Sequence, residues 1–159
     1  MADKKDSKQF YTSYWKKFIK FAEPSAPDLI SKHFLTLDRQ YLGFQCDVPD
    51  AHFALNAPKT KKLRCELVLE NTSTRELLLD ILKCRKKLIA EDLKVEPEDL
   101  SFNYELKPRR ACVHSEYFSI DNATLGEQYK WMLEMLKRFQ GYFPKLMIDI
   151  YKILGLKFN

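Results

Sequence analysis

Between Leu63 and Leu93 the hydrophobic period changes once, and little separates the two patterns. Leu63, Cys65, Leu67 and Leu69 alternate with Arg64, Glu66, Val68 and Glu70. That is the period of a strand with one mostly buried face. Asn71 to Thr74 turns the chain, and Ser73 followed by Glu76 has the spacing of a capping box. Beyond it Leu77/Leu78, Ile81/Leu82, Cys84, Leu88/Ile89 and Leu93 recur at helical spacing. Glu76, Asp80, Lys83, Lys87 and Glu91 form the opposite, wet stripe. A strand that runs straight into a long amphipathic helix needs cover for one apolar face of each. The pattern predicts an α+β fold with helices packed on one face of a mostly antiparallel sheet.

The remaining segments supply the partners. Phe10/Tyr11, Tyr14/Trp15, Phe18/Ile19 and Ala22 predict a first helix from Ser7, which Pro24 and Pro27 stop. Asp6 with Gln9 reads as its cap, residues 1–6 as a loose start, and Asp28 to Phe34 leaves room for a short helical turn. Leu42 to Val48, His52 to Asn56, and the Leu63 strand make three strands. Phe102 to Lys107 and Ala111 to Ser119 make two more, for a sheet of about five. Thr124 with Glu127 caps a third helix, Gly141 is expected to end it, and Pro144 to open a last one. The predicted order is α-β-β-β-α-β-β-α-α, one domain over residues 1–159 with 144–159 as a C-terminal helix and tail.

Composition narrows the function classes. The four glycines, Gly43, Gly126, Gly141 and Gly155, are scattered, which argues against a phosphate-cradling loop. The net charge of +5 comes from 27 basic and 22 acidic side chains with no basic tail, so it permits nucleic-acid contact without demanding it. Cys46, Cys65, Cys84 and Cys112 never stand in C-x-x-C spacing, and the polar start MADKKDSKQ lacks a signal-peptide core. Reduced thiols in a cytoplasmic protein are the expectation. No apolar run reaches the roughly 18–20 residues of a membrane span, so no membrane partner is expected.

The run YWKKFIKFAEPSAPDL, the strand-to-helix segment LRCELVLENTSTRELLLDILKCRKKL and the closing EQYKWMLEMLKRFQGYF carry a resemblance. They resemble a bacterial domain of unknown function that often follows a restriction-endonuclease-like nuclease domain as its C-terminal module. The likeness spans residues 8–145, with Tyr14-Trp15, the Glu66–Glu70 strand and Trp131 to Phe143 as anchors. It implies an accessory module around nucleic-acid processing or defence. It brings no catalytic residues with it.

Three chemical readings remain. Glu105-Leu106-Lys107 is an E-x-K on a strand, the arrangement by which PD-(D/E)xK nucleases hold a divalent ion and steady the attacking water. Asp99 lies too near to be the second acid, which leaves Asp47 or Asp50. Alternating charge on a wet strand face explains Glu105 and Lys107 equally well. Cys112 and His114 share a parity, but no close cysteine pair completes a zinc set, so neither metal nor cofactor is expected. Lys59, Lys61, Lys62 and Arg64 cluster at one hairpin and Lys107, Arg109 and Arg110 at another. If the two tips converge they make a phosphate-binding patch; lysines that blunt sheet edges are the plainer use. In the last helix Leu146, Ile148, Ile150, Tyr151 and Leu154 exceed what a sheet-covering stripe needs. They predict a protein partner or homodimer interface. A non-catalytic module that binds nucleic acid or a partner that processes it comes first. A small metal-dependent nuclease is second, and a structural oligomerisation domain third.

Overall fold

The computed structural model describes residues 3–34, 36–59, 62–70, 73–104, 109–119 and 122–157, with the backbone alone at 3, 109 and 116–119. The strands are β1 (His33–Phe34), β2 (Tyr41–Gln45), β3 (Ala51–Asn56), β4 (Lys62–Leu69), β5 (Leu100–Asn103) and β6 (Arg109–Ser119). They form one sheet in the order β1-β2-β3-β4-β6-β5, every pair antiparallel. The helices are α1 (Asp3–Ala22), α2 (Pro27–Ile30), α3 (Arg75–Cys84), α4 (Lys86–Leu93) and α5 (Leu125–Leu154), with a 3₁₀ turn at Pro97–Asp99. The class is the α+β predicted. The additional strand, β1, is too short to show a period.

One face of the sheet carries the core. Leu42, Phe44, Phe53, Leu55, Leu63, Cys65, Leu67, Leu69, Ala111 and Val113 pack in a single cluster with side chains from all five helices. The aromatic stripe of α1 belongs to it, with Trp15 and Phe18 fully buried. Each buried ring that carries a polar tip has somewhere to put it. The Trp15 indole N–H donates to the Arg39 carbonyl at 2.6 Å, and the Tyr11 hydroxyl to the Ala57 carbonyl at 3.0 Å. Tyr14 donates to Gln128 Oε1 at 2.7 Å, while Tyr129 donates back to the Tyr14 carbonyl at 3.0 Å. These bonds fix α1 against α5 and against the β2–β3 side of the sheet.

The helices differ from their predicted limits in several places. α1 already starts at Asp3, so Asp6 and Gln9 lie inside it and the segment expected to be loose is helical from Asp3 onward. The long second helix is two, α3 and α4, parted at Arg85 (φ −97°, ψ 13°) with no glycine or proline to announce the break. The residue at the N-cap of α3 is Thr74, and its side chain makes no capping bond. Thr124 does cap α5, its hydroxyl accepting from the Glu127 N–H at 3.2 Å.

The largest correction is α5. It runs unbroken through Gly141 and Pro144 for 30 residues. An interior proline costs a helix about 3 kcal/mol. Burial of Phe139, Phe143, Leu146, Met147 and Ile150 along the same helix opposes that cost. The same burial answers the interface expectation. Leu146, Ile150 and Tyr151 are inside the chain's own core, Leu154 packs against it, and Ile148 is half-buried. The Tyr151 hydroxyl donates to the Pro49 carbonyl at 3.3 Å. Most of the apolar surplus of this helix is taken up within one chain, because α5 meets the sheet and the β2–β3 turn as well as α1, while Ile153 stays 73% exposed.

Candidate functional site

The opposite face of the sheet carries no part of the helical core, yet it is not simply wet. Pairing lines up one row across all six strands: Phe34, Gly43, Ala54, Glu66, Cys112 and Ser101. On one side of it run Asn56, Arg64 and His114, on the other His52, Val68 and Arg110. Glycine and alanine in mid-row leave space above the sheet. The Phe34 ring bends over Gly43, where a β-carbon would meet its Cζ at 2.7 Å. His52 stands edge-on to that ring at 5.1 Å. The result is a hollow of about 320 Å³, lined by Phe34, Tyr41, His52, Asn56, Glu66 and Arg110 among others.

Glu66 is 2% exposed although no helix covers it. Its carboxylate has Arg64 Nη1 3.8 Å from Oε1 and Arg110 Nε 3.6 Å from Oε2. Both distances allow attraction and exceed hydrogen-bond length. Among the described residues, Glu66 Oε1, Asn56 Oδ1, Arg64 Nε and Arg110 Nε are all buried without a hydrogen-bond partner. Folded proteins leave few such atoms, and finding four together on one face calls for an explanation. Burial pushes the Cys112 thiol up, and the Glu66 carboxylate, to which it hydrogen-bonds, pushes it further. His114 is pushed down to about 4 by burial and then by Arg64 and Lys62, so its ring is neutral at neutral pH. Its Nε2 is 2.8 Å from Ser101 Oγ. His52 Nδ1 is 2.9 Å from Glu70 Oε1. Arg39 brings another cation to the rim, donating to the Tyr41 hydroxyl at 2.9 Å.

Residues 10–146 match a family described as Domain of unknown function (DUF4268). The chain belongs to the DUF4268 family. All the residues that shape the hollow lie within the span of the DUF4268 match. No curated protein and no solved structure matches the chain. Among the described residues no helix is long and apolar enough to cross a membrane.

The DUF4268 domain distributes the predicted site residues unevenly. Lys62, Arg64 and Arg110 are on the uncovered face: Arg64 and Arg110 flank Glu66, and Lys62 acts on His114. Lys59 has turned to α1, its ammonium 4.9 Å from the Phe10 ring centre and 6.0 Å from that of Tyr11. Lys61, Glu105 and Lys107 lie outside the described residues, as does the side chain of Arg109. One cation from each basic cluster, Arg64 and Arg110, meets at Glu66. Lys62 and Arg109 do not: Lys62 pairs with Ser119 and Leu69 with Arg109, which sets them at opposite ends of β4, ~24 Å apart at strand rise. Asp47 and Asp50 are in the β2–β3 turn, Asp50 in a left-handed conformation (φ 52°). Among the described residues no group of three or more His, Cys, Asp or Glu side chains is placed to hold a metal ion.

Sequence reasoning missed Phe34, Tyr41, Gly43, Asn56 and Glu66 as site residues. Alternation assigned Glu66 to the wetter face of β4, correctly as to face. Its burial depends on which cations the neighbouring strands bring beside it, and the sequence does not state the register between β4 and β6.

Proposed function

We propose that this DUF4268 domain is a non-catalytic module that binds single-stranded nucleic acid across the uncovered face of its sheet. The observation that carries the reading is the company around the hollow: the cations Arg110, Arg64 and Arg39 beside the rings of Phe34 and Tyr41, with Lys62 farther along the same face next to His114. Cations that neutralise phosphates and rings that stack on splayed bases are what a single strand requires of a sheet. A duplex keeps its bases stacked inside and gives a hollow of this size nothing to receive. The net charge of +5 favours encounter with a polyanion. The likeness to modules that follow restriction-endonuclease-like nucleases fits the same role. The domain would hold a strand for a nuclease partner in the bacterial cytoplasm, in processing or in defence, and leave cleavage to that partner.

Fluorescence anisotropy with short labelled single strands and the matching duplex tests this. Single strands should bind more tightly than duplex, and affinity should fall steeply with salt as counterions are released. Lys62→Glu with Arg39→Glu, both exposed positions, should weaken binding to every sequence and flatten the salt dependence. A wild-type protein that binds no single strand even at low salt would end the proposal and leave the face to a protein partner.

A further inference from the structure

We infer that the hollow over Glu66 selects guanine from the bound strand, an inference that rests on the nucleic-acid reading above. Three of its lining residues, Glu66, Asn56 and Arg110, set the choice through polar atoms held just beneath its floor. Among the described residues, Glu66 Oε1 and Asn56 Oδ1 are two buried acceptors without a partner, and Arg110 Nε is a buried donor without one. Asn56 pairs with Arg64 while Ala54 pairs with Glu66, so Asn56 and Glu66 are diagonal neighbours on β3 and β4. Side chains so placed can reach one flat ligand lying between them.

The ligand edge that fits offers two adjacent N–H donors and, beside them, an acceptor. On the Watson–Crick edge of guanine, N1–H and the N2 amine are the two donors and O6 is the acceptor. Adenine, cytosine and uracil or thymine each put at most one donor on that edge. Any of them would set a lone pair against the Glu66 carboxylate or leave one of the buried acceptors unmatched. An unmatched buried acceptor is what a polar pocket penalises most. The rings of Phe34 and Tyr41 supply the stacking surface at the rim, which every base can use and which therefore does not discriminate. Discrimination falls to Glu66 and Asn56.

The test compares labelled oligouridines or oligothymidines carrying one central guanine, adenine, cytosine or inosine. With wild-type protein the guanine strand should bind at least about tenfold more tightly than the others. Inosine, which lacks the N2 amine, should lose most of that advantage. Glu66→Gln should erase the guanine preference and keep the base-independent binding, with circular dichroism to confirm the fold. Should Glu66→Gln fail to fold, the inosine comparison decides with the wild-type protein. Equal wild-type affinity for all four strands, or a guanine preference that survives both inosine and Glu66→Gln, overturns the inference and leaves the nucleic-acid reading standing. Absence of binding to any strand overturns both.

Discussion

The ring of Phe34 occupies the space that a side chain at Gly43 would need. The two are cross-strand partners on β1 and β2, and a β-carbon at position 43 would come within 2.7 Å of the ring tip. Gly43 is thus chosen for close approach to a ring, with no demand on its backbone angles.

Gly43→Ala should therefore act on binding more than on stability. The obstructing atoms are the far end of a half-buried side chain, so the ring and not the backbone is what must give way. Alanine also suits a strand better than glycine by roughly 0.5–1 kcal/mol, which offsets the displaced contact. The melting transition should move by less than the equivalent of about 1 kcal/mol. Single-strand affinity should drop about tenfold as the stacking ring leaves the hollow, and Phe34→Ala should reproduce the loss. Unchanged affinity in both variants would remove Phe34 from the site.

His114 makes stability depend on pH in one window. An unfolded histidine takes up its proton near pH 6.5. In the fold, burial and then Arg64 and Lys62 hold it off until about 4. Between those values the unfolded chain binds a proton that the folded chain refuses. His114's contribution is complete above pH 6.5, falls as the pH drops toward 4, and changes no further below that. Melting temperatures of wild type and His114→Gln from pH 7 to 4 give the measurement. The wild type should lose more than the variant over this window, and parallel curves would contradict the assignment.

The four thiols should react in order of exposure. Cys84 is exposed, while burial raises Cys46 to about 11 and pushes Cys65 and Cys112 up as well. A thiolate is the reactive form, so these three, with Cys46 partly buried and Cys65 and Cys112 buried, are slow. Ellman's reagent on the folded protein at mildly alkaline pH should titrate one thiol fast, and Cys84→Ser should abolish that phase. Denaturant should release the rest. A second fast thiol assigned to Cys65 or Cys112 would mean that the sheet opens on the timescale of the reaction.

The fold was readable where a period could repeat. Leu63 to Leu69 alternate because one face of β4 meets the helices, and the helical spacing from Leu78 to Leu93 survives the break at Arg85. What escaped depends on tertiary balance. Gly141 and Pro144 are sound stop signals locally, yet the apolar side chains around them hold α5 together. Strand order escaped for a similar reason, since a hairpin pairs neighbours in sequence and says nothing of which of them meets β4. For the site, Arg64 and Arg110 were legible as candidate phosphate contacts. Their meeting at Glu66 was not, because it follows from β6 lying beside β4 in one particular register. Asn56 and Gly43 have no signature until their cross-strand partners are known.

The placement of β6 between β4 and β5 also sets a timetable for the growing chain. β1 to β4 form a meander whose strands can pair as they are made, but β4 then waits through both α3 and α4 for its second neighbour. Until residues 109–119 leave the ribosome, β4 presents a bare hydrogen-bonding edge, and β5 has nothing to join. A bare edge of that kind invites pairing with another nascent chain. A fragment that stops short of β6 therefore lacks the strand that closes the middle of the sheet and should be prone to aggregate, even though most of the length of the domain is already present.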